Sequence, residues 1–234
     1  MIISRKNKFI FISIPKTGTT SVESSLQHLK TIPLSREILP HSSERRYCLN
    51  VGATVDYSPY LSWIGPERKM IPKHITLKEL KKNCIDSLDN YFSFTFVRNP
   101  WERELSGYFY RIKMVKYWKQ SAIKKSSKWY DVYKNYSNSL SRCNTFSDWI
   151  ADKAYMENTQ LSWAKDVSFI GRFENLQDDF DIICDKIGIP RQKLPHKNKS
   201  QHKHYTKYYD DETKQIVAEK YAKDIEYFGY KFGE

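Results

Sequence analysis

The stretch Ile14-Pro-Lys-Thr-Gly-Thr-Thr-Ser21, "IPKTGTTS", follows the apolar run Phe9-Ile-Phe-Ile-Ser13 and gathers one lysine, one glycine and four hydroxyl side chains into eight residues. A strand, a turn containing Gly18 and a helix start bring backbone N–H groups and a positive helix end to one point, which favours an anion. The helix dipole contributes only ~0.3–1 kcal/mol. Charge-assisted hydrogen bonds contribute ~1.5–3 kcal/mol each, so Lys16 and the hydroxyls of Thr17, Thr19, Thr20 and Ser21 matter more than the dipole. The nucleoside-triphosphate loop GxxxxGK[ST] puts its lysine directly after the second glycine and a magnesium-holding Ser/Thr next. Here Lys16 precedes Gly18 and no first glycine stands at the required spacing. The strands read from the sequence end at Ile14, Arg98 and Phe173, so none supplies an acid for a metal. The pattern describes an anion loop that needs no metal.

A second cluster ends the apolar run Tyr91–Val97: Arg98-Asn-Pro-Trp-Glu-Arg-Glu-Leu-Ser-Gly-Tyr108, "RNPWERELSGY". Arg98 falls at the C-terminal end of a strand, where ligands collect in open α/β sheets. Ser106 stands seven residues after Asn99, two helical turns on, so Arg98 and Ser106 can serve one phosphate. Six histidines compete as a proton acceptor: His28, His41, His74, His196, His202 and His204. His74 is preferred because "KHITLKEL" sets it just before a helix capped by Thr76; Glu23, Glu67 and Glu79 are alternatives.

The elements that must hold these groups alternate strand and helix, the pattern of an α/β fold with a mainly parallel sheet flanked by helices, in a P-loop-like three-layer arrangement. Lys8–Ile14 reads as a buried strand. The helix after it opens near Thr19 and runs toward Lys30, with Val22, Leu26 and Leu29 on one face. Tyr47–Val55 and Ser62–Ile64 are candidate strands. Thr76 and Glu79 form a capping box for a helix from Leu77 to about Cys84. Asn99-Pro100 starts a helix with Trp101, Leu105, Tyr108 and Ile112 as its apolar stripe. Phe146–Tyr155 follows a Thr145 cap, Val167–Phe173 reads as a strand, and Asn175–Ile187 as a helix closed by Gly188 and Pro190. A last helix is expected from Asp211 to Lys223.

With 234 residues, 40% of them apolar, the chain suits one domain, 1–234, with an insertion at 111–142. The net charge of +12 is concentrated: Arg111–Arg142 holds nine Lys or Arg against one acid, Asp131, and Arg191–Lys207 holds six and no acid. The remainder is close to neutral, so these two segments carry the positive field that a polyanionic ligand would meet. The first interleaves its cations with Tyr117, Trp118, Trp129, Tyr130, Tyr133 and Tyr136. Such aromatics either stack on sugar rings or form the core of a lid helix. Cys48, Cys84, Cys143 and Cys184 lie far apart without a CxxC pair, which points to buried free thiols rather than zinc, with disulfides possible only in an oxidising lumen. No leader and no membrane span is read, so a cytoplasmic protein of bacterial type is expected, or a lumenal one lacking its anchor.

"PKTGTTS" at Pro15–Ser21 followed by "FVRNPWERELSGY" at Phe96–Tyr108 resembles the PAPS-dependent sulfotransferases, specifically their carbohydrate branch. "VSFIGRFENLQDDF" and "DIEYFGYKF" are similar to the same family, so the likeness covers most of the chain. The resemblance implies a donor, 3′-phosphoadenosine 5′-phosphosulfate (PAPS), and no required metal. It implies Lys16 on the oxygen bridging phosphorus and sulfur, Thr17, Gly18, Thr19, Thr20 and Ser21 on the 5′-phosphate, and Arg98 and Ser106 on the 3′-phosphate. It places Phe173 near adenine, Lys199-Ser200 in a late loop over the 3′-phosphate, and Gln160 and Trp163 at the border of the acceptor cleft. Relatives carry a histidine before a similar helix, which supports His74 as general base. The acceptor implied is a glycan hydroxyl, acidic or partly sulfated; a lipid, natural product or peptide is the nearest alternative. A small-molecule kinase would share the fold but not the lysine position. A nucleic-acid-binding module would explain the basic aromatic segment but not two anion motifs, so no nucleic-acid partner is expected.

Overall fold

The computed structural model describes residues 1–29, 62–64, 69–71, 74–83, 88–120, 130–152, 158–195 and 202–234. In chain order the first elements are β1 (Ile2–Ser4), β2 (Phe9–Phe11), α1 (Thr19–Leu26), β3 (Ser62–Ile64), β4 (Lys69–Ile71), α2 (Leu77–Asn83) and β5 (Phe92–Val97). There follow α3 (Pro100–Gln120), α4 (Tyr130–Ser141), α5 (Phe146–Ala151), α6 (Leu161–Ala164), β6 (Phe169–Arg172), α7 (Leu176–Ile187), α8 (Asp211–Lys220) and α9 (Ala222–Phe228). They fall into two units, Met1–Arg98 with Asn158–Asn198, and Asn99–Glu157 with Lys199–Glu234.

In the first unit a four-stranded sheet runs in the order β1-β2-β5-β6. β2 and β5 are parallel, with Phe9 beside Phe92 and Phe11 beside Phe94, and β6 continues in parallel, with Phe94 beside Phe169 and Val97 beside Arg172. This is the expected α/β class with a mostly parallel sheet flanked by helices. Strand residues two apart share a face. Phe9, Phe11, Phe94 and Phe96 accordingly pack in one cluster with Val22 and Leu26 of α1 and Phe180 and Ile183 of α7. Gly171 is a packing requirement: a Cβ there would lie 2.5 Å from Cε1 of Phe96. β1 was not expected; its antiparallel pairing sets Ile3 beside Ile10, and three residues are too few to show a period. Ser62–Ile64 is a strand, as expected, paired antiparallel with β4. β6 is shorter than the expected Val167–Phe173, because Phe173–Asn175 winds into a 3₁₀ turn that leads straight into α7.

The second unit is helical. Trp101, Leu105 and Tyr108 of α3, Phe146, Trp149 and Ile150 of α5, and Tyr205, Val217 and Tyr221 form its core. The Asn99 side chain caps α3 by accepting from the Trp101 N–H at 3.2 Å, and the helix runs well past Ile112 into the segment expected as an insertion. Thr145 caps α5 through a reciprocal box with Asp148, and the helix ends at Ala151, short of the expected Tyr155. The expected last helix is two: Tyr221, at φ −110° and ψ 25°, separates α8 from α9, and its buried hydroxyl donates to Glu104 at 2.5 Å. That tertiary hydrogen bond fixes a break that local pattern does not reveal. Of the basic segment's aromatics, Trp118 is buried beside Tyr136 at 5.8 Å, whereas Tyr117 is exposed. Tyr47–Val55, Cys48, Cys84, His41, Glu67, His196 and the Lys199-Ser200 loop lie outside the described residues.

Candidate active site

The site begins where β2 runs out. Past Ile14 the backbone makes two left-handed steps, Lys16 at φ 69° and Gly18 at φ 80°. For Gly18 this conformation carries no steric penalty, and a Cβ would sit 2.9 Å from Cδ2 of Leu176 and 3.1 Å from Cδ2 of Phe173. For Lys16 it costs roughly 1–3 kcal/mol and persists only if neighbours hold it. The Gly18 carbonyl then accepts from the N–H groups of Ser21 at 3.0 Å and Val22 at 3.3 Å, starting α1. Thr17 is fully buried and its hydroxyl donates to the Ile14 carbonyl at 3.0 Å, closing the turn. Thr19 and Ser21 are buried and Thr20 is exposed. The loop is thus a turn folded on its own backbone and feeding a helix N-terminus, the arrangement that suits an anion.

Arg98 lies at the end of β5, and three contacts locate it. Its Nη1 donates to the Lys16 carbonyl at 3.2 Å. Its guanidinium carbon stands 3.9 Å from the ring centroid of Phe173, which emerges from the end of β6. Its backbone is held by Gln160: the side-chain oxygen accepts from the Arg98 N–H at 2.8 Å and the side-chain amide donates to the Arg98 carbonyl at 2.8 Å. The C-terminal ends of three adjacent parallel strands therefore deliver Lys16, Arg98 and Phe173 to one place, the edge where open α/β sheets bind ligands.

His74 is buried one residue before Ile75, at the start of the Thr76–Glu79 capping box that opens α2. Its Nδ1 lies 2.7 Å from the carbonyl oxygen of Ser13, the residue before the loop. A carbonyl only accepts, so Nδ1 carries the hydrogen, and in the neutral ring the lone pair is on Nε2. The Ser13 hydroxyl in turn donates to Glu23 at 2.6 Å, which engages one of the rival bases. Glu79 is engaged too, accepting from the Thr76 N–H and hydroxyl at 3.0 and 2.7 Å.

The structure thus gathers Lys16, Thr17, Gly18, Thr19, Ser21, Arg98, Phe173 and His74 around the ends of β2, β5 and β6 in one unit. Ser106 belongs to the other unit, on α3, with 9% of its surface exposed. Ser200 lies outside the described residues. Gln160 and Trp163 are both buried, Gln160 against the Arg98 backbone and Trp163 with Nε1 3.4 Å from the His74 carbonyl. The physical reason is that an amide side chain in a dry site must satisfy its donor and acceptor, and the Arg98 peptide groups offer both. Sequence reading missed this clamp and the Arg98–Lys16 bond, since residues 62 and 82 positions apart carry no local signal. Of the other histidines, His28 is exposed on the turn after α1, His202 stacks on Phe109 at 5.1 Å, and His204 bonds Thr206. Cys143 and Cys184 are buried free thiols, and burial raises both above the usual thiol range. Among the described residues no three His, Cys, Asp or Glu side chains gather as metal ligands, and no helix is long and apolar enough to cross a membrane.

A family model described as "Sulfotransferase family" matches residues 1–231. Two solved structures are similar at low identity. A crystal structure of a sulfotransferase from Alicyclobacillus acidocaldarius is 14% identical over 96% of this chain and 96% of its own, with a TM-score of 0.40. Mouse sulfotransferase SULT7A1 complexed with PAP is 18% identical over 95% of this chain and 67% of its own, with a TM-score of 0.32. No curated protein matches the chain in sequence.

Proposed function

Since the chain belongs to the sulfotransferase family, we propose that it moves a sulfuryl group from PAPS to a hydroxyl of a glycan. The observation that carries the donor assignment is the bond from Arg98 Nη1 to the Lys16 carbonyl, which joins the two anion motifs at one strand edge. Its residues suit a nucleotide with anionic groups at both ends. The loop N–H groups and the Thr19, Thr20 and Ser21 hydroxyls take the 5′-phosphate. Arg98 takes the 3′-phosphate, and Phe173 takes an adenine-side contact. A phosphosulfate carries less charge at the transferring end than a triphosphate, so the Lys16 ammonium serves where a kinase uses a metal.

When bound, the nucleotide supplies the activated sulfuryl group. The chain's own residues divide the remaining work. The Lys16 ammonium stabilises negative charge as it develops on the bridging oxygen. His74, with Nδ1–H committed to the Ser13 carbonyl, accepts the acceptor's proton at Nε2. Gly18 and the buried Thr17 keep the loop closed under the helix end.

An acidic glycan is supported by the second unit's charge. Lys113, Lys116 and Lys119 are exposed on α3, and Arg111 stacks 4.3 Å from the centroid of Trp149. The test is transfer of label from ³⁵S-PAPS to a panel of neutral glycans, sulfated glycans, lipids and tyrosyl peptides. Labelling of acidic glycans is the expected result. Labelling of lipids or peptides alone would replace the acceptor class, and no labelling with tight ATP–magnesium binding would replace the reaction.

A further inference from the structure

We propose that Gln160 is a positioning residue for the donor nucleotide, acting through the backbone of Arg98; this rests on the reading of Arg98 and the Lys16 loop as the nucleotide site. The reason lies in where the sheet stops. β5 and β6 are paired up to Val97 beside Arg172, and at Phe173 the chain of β6 turns into a 3₁₀ helix. Arg98 therefore extends one residue past its ladder, with a peptide N–H and C=O in a buried setting. The primary amide of Gln160 takes the place of the missing strand, giving an acceptor to one group and a donor to the other, both at 2.8 Å. Gln160 is itself fully buried and stands at the N-terminus of α6, which lies against β5.

The consequence passes outward. With its backbone fixed, the Arg98 guanidinium is aimed across the face of Phe173 and onto the Lys16 carbonyl. That carbonyl belongs to the residue held at φ 69°, a conformation that needs outside support. Gln160 thus sets, through one side chain, the approach of the cation to one end of the nucleotide and the shape of the loop at the other. No contact between Gln160 and the nucleotide is needed.

The donor–acceptor requirement makes the idea testable by protonation. In Gln160→Glu the ionised carboxylate only accepts, so it repels the Arg98 carbonyl. The protonated acid again offers one donor and one acceptor in the same shape. Calorimetric titration with 3′-phosphoadenosine 5′-phosphate (PAP) from pH 5.5 to 9 is the experiment, run on the wild-type chain, Gln160→Glu and Gln160→Met. We expect the Glu variant to bind within a few-fold of wild type at the acid end and roughly tenfold or more weaker at the alkaline end. Gln160→Met, which lacks both bonds, should be weaker by a similar factor at every pH. Taking the ratio to wild type cancels titration of the nucleotide. A constant ratio for the Glu variant, or wild-type affinity in the Met variant with only a lower melting temperature, overturns the proposal and leaves Gln160 a packing residue. Failure of the wild-type chain to bind PAP overturns the nucleotide reading instead. If Gln160→Met does not fold, the pH course of Gln160→Glu alone decides.

Discussion

Both units bury polar side chains, but to different ends. In the first, His74, Thr17, Arg98 and Gln160 direct their bonds to the main chain of segments that have just left a strand: Ser13, Ile14, Lys16 and Arg98. In the second, Tyr221 reaches Glu104 across the core, Trp101 Nε1 donates to the Lys214 carbonyl, and Asn99 donates to the Lys231 carbonyl, tying helices and the C-terminal segment together. Bonds of the first kind hold a loop in a conformation that regular structure does not supply, where β2, β5 and β6 end. Bonds of the second kind replace water within a helical core. Substitutions that remove bonds of the first kind should therefore be read mainly in binding and turnover, and those that remove bonds of the second kind mainly in stability.

The largest effects separate two residues within the first unit. His74→Ala removes the proposed proton acceptor, and turnover should fall by about 10²–10⁴-fold with PAP affinity changed only a few-fold. Lys16→Ala should lower turnover by about 10²–10³-fold and weaken PAP binding as well. Steady-state kinetics beside calorimetry check both, and a His74 variant with wild-type turnover would remove that residue from the mechanism. Next comes Gly18→Ala. It forces a side chain into the left-handed region, 2.9 Å from Leu176, and should cost ~1–3 kcal/mol with reduced nucleotide affinity. A chemical-denaturation midpoint unchanged from wild type would show that the loop gives way freely.

Tyr221→Phe marks the other side of the comparison. Burial, and then the neighbouring Glu104, hold the Tyr221 phenol well above its usual range, so it remains a donor at neutral pH. Its loss should destabilise the protein by ~1–3 kcal/mol. Turnover per folded molecule should stay unchanged, and a drop in it would mean that the second unit's core also shapes the chemistry.

The smallest effect concerns helix caps. Backbone hydrogen bonding to Thr145 holds the Asp148 carboxyl below its ordinary range, and hydrogen bonding to Thr213 does the same for Asp210. A carboxyl depressed in the folded state stabilises it while ionised. That contribution is complete above the ordinary aspartate value and is lost as pH falls through the depressed one. Thermal melting should accordingly be flat in these terms at neutral pH and decline only under strong acid, less steeply in Asp210→Asn than in wild type.

Much of this division is legible in the sequence. The apolar runs before Ile14 and Arg98, the capping boxes at Thr76 and Thr145 and the glycine stop at Gly188 are local signals, and each corresponds to an element. So is the order Lys16–Gly18, which sets the loop apart from a triphosphate loop. What stayed hidden depends on distant partners. Arg98 reads as a phosphate ligand, yet its bond to the Lys16 carbonyl, its stacking on Phe173 and its clamp by Gln160 exist only once β2, β5 and β6 are side by side. The break at Tyr221 likewise follows from Glu104, 117 residues away.

The claim on which the rest stands is that the Lys16 loop and Arg98 grip one nucleotide. Calorimetric titration of PAP into the wild-type chain, Lys16→Ala and Arg98→Ala, in the presence of a metal chelator, tests it most directly. The account predicts saturable one-to-one binding by the wild type without metal, and weaker binding by each variant. An absence of heat with the wild type, or equal affinity in all three, would contradict it.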